Sequence, residues 1–184
     1  DHPPAFTTLS ANGPQNPGGT LTWTTTASTT DVIRGAGVDK LRLFVCKAAD
    51  FTFSSTTAAC GVGGTWATST LTSLNPSASY SLPIPTQDKT YAAFVYLTNN
   101  FNLAATSTLE GSSTPYVVNN VAPTITASSI TLWDRVGSTT PTISLVTPNG
   151  QSTGYKVNLV INDNNGCVNA ASGNEIASLA PNVY

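Results

Sequence analysis

The chain has 184 residues and a formal net charge of −2, and only 9% of its residues are charged, against roughly 25% in ordinary globular domains. A hydrophobic share of 40% supplies a core and excludes wholesale disorder. No basic excess is present to hold nucleic acid, and no apolar run reaches the roughly 20 residues of a membrane span.

Ser and Thr take the place of the missing charges, with 19 Ser and 30 Thr. Thr, Val and Tyr suit a pleated surface, and stretches rich in Glu, Lys and Leu are missing. The chain opens Asp1-His2-Pro3-Pro4, polar and without an apolar signal segment, which reads as a signal already removed or as a fragment. Phe6, Thr7, Thr8 and Leu9 then form an arm able to become a strand. Leu21 and Trp23 alternate with threonines, and Leu41, Leu43 and Val45 share one face of residues 40–47. Residues 91–97 are apolar almost throughout, as expected of a central strand covered on both faces. Ile143 and Leu145, and later Val157, Leu159 and Ile161, repeat the alternation. Between these runs stand Asn12-Gly13-Pro14, Asn16-Pro17-Gly18-Gly19, residues 61–64, Asn75-Pro76, Asn99-Asn100 and Asn149-Gly150. Many short strands with a turn about every ten residues predict an antiparallel sandwich or barrel. Only residues 174–179 offer a helical turn.

A loose internal repeat sets residues 20–24 with the strand at Leu41 against residues 142–146 with the strand at Val157. Residues 117–125 read as a strand, a polar joint and a new strand begun at Pro123, so the boundary falls near residue 120. Residues 1–120 then form one sandwich. Residues 121–184 form a second, partial one, shorter than the roughly 100 residues usual for such a fold. The second unit is expected to be truncated or completed by another chain.

Cys46 and Cys60 enclose residues 47–59, rich in Ser, Thr and Ala. A disulfide closing a loop of about 15 residues contributes on the order of 3 kcal/mol; the other reading is two separate buried thiols. Cys167 is left to pair beyond the chain end, pair between chains, or stay free. With one His and no C-x-x-C pair, a zinc site lacks ligands. Asn75-Pro76-Ser77 is blocked by its proline and no other N-x-S/T sequon occurs, which favours a bacterial secreted source.

Thr90-Tyr91-Ala92-Ala93-Phe94-Val95-Tyr96 resembles the penultimate strand of fibronectin type III and bacterial immunoglobulin-like modules. Such modules place a Tyr just inside that strand, with an apolar residue four later, here Tyr91 and Val95. The Tyr commonly closes a corner with its hydroxyl. The joint at residues 119–123 is similar to junctions in tandem arrays on bacterial surface proteins. Cys46 and Cys60 depart from the antibody bridge, because no Cys lies on the Tyr91 strand. The resemblance implies an all-β, immunoglobulin-like or fibronectin-like tandem with a spacer, adhesive or lattice-forming role and no catalytic residues.

Candidate chemistry is sparse. His2 sits in a Pro-flanked arm, poorly placed for a triad, and an Asp1-His2 terminus is a weak copper ligand. The nine acids are scattered, without the spacing of a glycosidase pair. Asp163 and Asn165, with Glu175 from a neighbouring loop, offer hard oxygen ligands for calcium; the plain alternative is an Asn-Gly turn. Trp23, Trp66 and Trp133 with Tyr80, Tyr96 and Tyr116 form a candidate sugar platform, against which stands core burial of Trp23 and a cover for the disulfide loop by Trp66. Lys156 and nearby Asn residues invite an internal Lys–Asn crosslink, against a solvated strand lysine. The expected function is a non-catalytic structural or adhesive module outside a bacterial cell, at its surface. The alternatives are a filament, pilus or surface-layer subunit that donates the Phe6–Leu9 arm to open sheet edges, and a carbohydrate-binding module. Expected partners are other copies of the chain, other surface-protein domains, or glycans; no cofactor beyond possible calcium is expected.

Overall fold

A computed structural model describes residues 2–33, 37–54, 56–133 and 156–166. The chain divides into two compact units, Asp1–Asn120 and Val121–Tyr184. The fold is all-β and sandwich-like, with antiparallel sheets and no α-helix among the described residues.

The strands of the first unit are β1 (Ala5–Ala11), β2 (Thr20–Ser28), β3 (Val32–Ile33), β4 (Gly37–Val38), β5 (Leu41–Cys46), β6 (Thr52–Phe53), β7 (Ala58–Ala59), β8 (Thr65–Thr68), β9 (Ser77–Ser81), β10 (Thr90–Tyr91), β11 (Phe94–Asn99), β12 (Ser112–Ser113) and β13 (Tyr116–Val117). One sheet runs β1-β2-β9 and the other β12-β11-β5-β8. The pairs β3–β4, β6–β7 and β10–β13 are hairpins or short ladders outside them.

Period-two alternation builds the first sheet. Leu21, Trp23, Thr25 and Ala27 of β2 are buried, while the residues between them face outward. The outward threonines and serines bond across strands: Thr8 to Thr26 at 2.6 Å, Ser10 to Thr24 at 2.7 Å and Thr22 to Ser79 at 3.0 Å. This face explains part of the Ser and Thr surplus. In β1, Phe6 pairs with Ala27 and Thr8 with Thr26, so Thr7 is an inserted bulge residue. The bulge flips the alternation, which is why Phe6 and Leu9, three apart, both reach the core. The Phe6–Leu9 segment, read from the sequence as an arm able to become a strand, lies in the edge strand of the first sheet, held there by burial of Phe6 and by the ladder with β2.

β11 is central in the second sheet and buried on both faces. Val95 and Leu97 point into the core with Leu41, Leu43 and Val45, whereas Phe44, Cys46 and Tyr96 form an outer cluster covered by Phe51, Ala58 and Cys60. The cover is the loop closed by the Cys46–Cys60 disulfide, Cα atoms 5.4 Å apart. The apolar run at 91–97 is not one strand. It breaks at Ala92–Ala93, leaving Tyr91 in β10 against β13. The turn signals through residue 100 are realised. Gly19 N–H donates to the Asn16 carbonyl and Gly64 N–H to that of Gly61, and Asn75 takes the left-handed region at φ 45°.

In the second unit, β14 (Thr124–Ile125) pairs with β17 (Ile161–Asn162), and β15 (Thr131–Trp133) with β16 (Lys156–Asn158). A single 3-10 turn, Ala127–Ser129, separates β14 from β15. The sequence predicts one continuous strand over 155–162. Instead it changes partner midway, because Val160 N–H donates to Ser129 Oγ at 2.8 Å beside the turn. The predicted strand at Ile143 and Leu145, the Asn149-Gly150 turn, the helical turn at 174–179, and Cys167 lie outside the described residues.

Candidate functional site

The two sheets are joined on one side by consecutive edge strands, β8 of the second sheet and β9 of the first. The register across β5–β8 pairs Val45 with Ala67 and Cys46 with Thr65, which makes Trp66 an extra, bulged residue. A bulge re-aims a side chain. Here it takes the indole to Tyr80, at the end of β9, with centroids 5.1 Å apart and planes at 60°. The indole N–H donates to the Ala92 carbonyl at 2.8 Å, on the break between β10 and β11. Trp66 therefore lies in this aromatic group rather than over the disulfide loop, contrary to the sequence expectation.

Tyr91 and Tyr116 complete the group as cross-strand partners in β10–β13. Their rings are stacked, 5.2 Å apart with planes 12° from parallel, and Trp66 meets both edge-on. Tyr91 donates its hydroxyl hydrogen to the Gln87 carbonyl at 3.1 Å, closing the corner that leads into β10. Beside these rings, under Pro83 and Pro85 of the β9–β10 loop, is a pocket of about 280 Å³. That is near the small end of the range of about 300–1,000 Å³ for ligand pockets.

Two lysines cover ring faces of this aromatic group. Lys47 Nζ lies 4.5 Å from the Trp66 ring centroid and Lys89 Nζ 4.9 Å from that of Tyr91. Neither is in an ion pair among the described residues. Asp88, beside Lys89, accepts from the Asn120 amide at 3.0 Å. Burial raises the Tyr91 phenol above its ordinary range, with smaller effects from Tyr80 and Asp88. Burial raises Tyr116 further, helped by its two tyrosine neighbours. The Tyr116 hydroxyl is buried and makes no hydrogen bond, a condition that costs about 1–3 kcal/mol.

Of the six aromatics proposed for a sugar platform, Trp66, Tyr80 and Tyr116 come together. Trp23 is fully buried in the core, Tyr96 belongs to the cluster under the disulfide loop, and Trp133 is in the second unit. Tyr91, Pro83 and Pro85, which line the pocket, are not among those six. Pro83, Pro85 and Lys89 lie within ten residues of Tyr91, and that density of rings and prolines was the available signal.

The calcium candidates behave as a turn. Asp163 Oδ1 accepts from Asn165 N–H at 2.9 Å, and buried Asn165 Oδ1 accepts from Val121 N–H at 2.6 Å. Glu175 lies outside the described residues, and no group of three His, Cys, Asp or Glu converges among the described ones. His2 is exposed but not solitary: its backbone N–H and its Nδ1 both contact the Asp31 carboxylate. No helix among the described residues is long and apolar enough to cross a membrane.

No family model, curated protein or solved structure matches the chain.

Proposed function

We propose that the chain is a non-catalytic structural or adhesive module of a bacterial surface protein, built on an immunoglobulin-like or fibronectin type III-like sandwich and working outside the cell. The observation that carries this reading is the combination of strand order and corner. A β1-β2-β9 sheet lies over a β12-β11-β5-β8 sheet, with the chain crossing between them after β2, β8 and β9. Tyr91 bonds back to Gln87 at the entry to the penultimate strand, as the hydroxyl does in sandwiches of that type. The Cys46–Cys60 disulfide fits an oxidising compartment.

Edge management favours a discrete module over a strand-donating filament. Three of the four edges of the two main sheets resist pairing with another chain, since β1 and β8 are bulged and β12 has two residues; the fourth, β9, is a five-residue strand without a bulge. The test is size in solution by light scattering, followed by adhesion of beads coated with the chain to bacterial envelope and host-matrix material. A compact monomer that confers saturable adhesion is expected. Ordered filaments or sheets would overturn the module reading in favour of self-assembly, and turnover of a glycan would overturn the non-catalytic one.

A further inference from the structure

We infer that the outer face of the β12-β11-β5-β8 sheet binds a small organic acid, a carboxylate carried on an apolar body. Arg42 is its anion contact, and Phe53 and Phe101 flank the body. The inference goes beyond the module reading above and does not rest on it.

The anion contact comes from strand alternation. Leu41, Leu43 and Val45 point into the core, so Arg42 emerges on the outer face with Phe44, opposite Thr98 of β11. There it lines a small recess of about 40 Å³ with Leu71, Thr98, Asn99, Asn100 and Asn102. Arg42 is the only charged residue of that lining, and it forms no ion pair or hydrogen bond among the described residues. Its Nε is shut away from solvent, so a ligand reaches it through the terminal Nη groups. Asp39, whose Oδ1 accepts from Asn100 N–H at 3.3 Å, is fully buried, lines neither this recess nor the cleft beside it, and is not paired with Arg42.

The apolar part comes from two loops. Asn102 also lines a neighbouring cleft of about 460 Å³, with Pro3, Phe53, Phe101, Leu103 and Ala104. Phe53 is 42% exposed and Phe101 49%. Both are held in place. Phe53 stands on the loop closed by the disulfide and packs edge-on to Phe51 and Tyr96. Phe101 stands on a turn in which Asn99 Oδ1 accepts from the Phe101 and Leu103 N–H groups at 3.0 and 2.9 Å, and Asn102 takes φ 60°.

The two volumes divide the ligand. A water needs roughly 10–15 Å³ of such space, so the recess admits a group the size of a carboxylate and no ring. The cleft falls within the range of about 300–1,000 Å³ for small-molecule sites. A guanidinium takes a carboxylate through parallel N–H bonds. A neutral apolar ligand would leave Arg42 unused, and a bare anion would leave Phe53 and Phe101 in water.

The test is calorimetry on the whole chain with 3-phenylpropionate, 3-phenylpropionamide and acetate. Saturable binding of phenylpropionate is expected, at least tenfold tighter than the amide or acetate and weakened by salt. Arg42→Gln should lose at least tenfold in affinity for the acid and leave the amide unchanged. Asn102→Asp is a second variant that spares the β5 ladder and sets a negative charge beside the recess; it should also weaken the acid alone. Phe101→Ala, at an exposed position, should weaken acid and amide alike. Equal affinity for acid and amide, acetate as tight as phenylpropionate, no saturable binding of the acid, or acid affinity unchanged in Asn102→Asp would each overturn the inference. The bead assay is independent of these titrations, so failure here leaves the module reading standing.

Discussion

Tyr91 lies flat on Tyr116, its cross-strand partner, while its hydroxyl reaches four residues back to the Gln87 carbonyl at 3.1 Å. One side chain thus fixes the β9–β10 loop, closes the β10–β13 ladder and forms a wall of the pocket.

Those roles separate by substitution. Tyr91→Phe keeps the stack and removes one hydrogen bond, so it should cost about 1 kcal/mol. Tyr91→Ala also removes a partly buried ring, and should cost about 3–5 kcal/mol. Urea unfolding measures both. A Tyr91→Phe protein as stable as the parent would show that the corner bond contributes nothing, whatever its geometry.

The disulfide joins the end of β5 to the loop that covers Phe44 and Tyr96. With the cysteines 14 positions apart in sequence, the loop-closure contribution is about 3 kcal/mol. Cys46→Ala with Cys60→Ala should lower stability by about that amount. The loss should be accompanied by exposure of the aromatic cluster of Phe51, Phe53 and Tyr96, whose rings lie within 6.2 Å of one another. A peptide map made without reductant should show the two cysteine peptides linked; finding both freely alkylated would sink the bridge.

The parts of this fold that were legible in sequence are those set by short-range rules. Alternation placed Leu21, Trp23, Leu41, Leu43 and Val45 inward, and the Asn, Gly and Pro clusters marked turns. The bulges at Thr7 and Trp66 were not legible, because an inserted residue shows only against its partner strand. Those two bulges decide the matters that count for function. One draws Phe6 and Leu9 into the core of their own unit. The other swings Trp66 away from the disulfide loop and into the pocket. The break at residues 159–160 escaped for a similar reason, since Ser129, which takes the Val160 N–H, lies 31 residues upstream.

Gly61 tests the disulfide loop without touching sulfur. A Cβ there would sit 2.4 Å from the Asp50 carbonyl oxygen and 2.7 Å from its carboxylate. The same carboxylate accepts from Gly63 N–H at 2.8 Å, so relief by moving Asp50 breaks that bond. Gly61→Ala should therefore destabilise by about 1–3 kcal/mol, with the loss reduced in an Asp50→Gly background that frees the space near the carboxylate. Thermal melts of the four proteins in this cycle check the coupling. Additive losses would show that the loop relaxes elsewhere.

Glu110 gives the first unit a pH dependence. β12 pairs only with Phe94 and Val95 of β11, so the Leu97 N–H further along that edge lacks a strand partner. The Glu110 carboxyl accepts from it instead, at 3.0 and 3.1 Å. Burial pushes this carboxyl up to about 8 from an ordinary 4.5, and the bond from Leu97 opposes the rise only in part. Between these two pH values the folded chain holds a proton that the unfolded chain has released. Stability from this group is therefore fully present below about pH 4.5 and lost as pH rises toward 8, at about 1.4 kcal/mol per pH unit. Asp31 acts in the opposite sense and in another window. Held below the usual carboxylate range first by the His2 backbone N–H and then by its imidazole, it contributes stability that is lost as the pH falls into the acid range. The thermal midpoint should accordingly fall steadily from pH 5 to pH 8. Glu110→Gln, which keeps an acceptor for Leu97 but cannot ionise, should flatten that slope and be the more stable protein at pH 8. Parallel curves for the two proteins would mean that Glu110 ionises in the folded state as it does in the unfolded one.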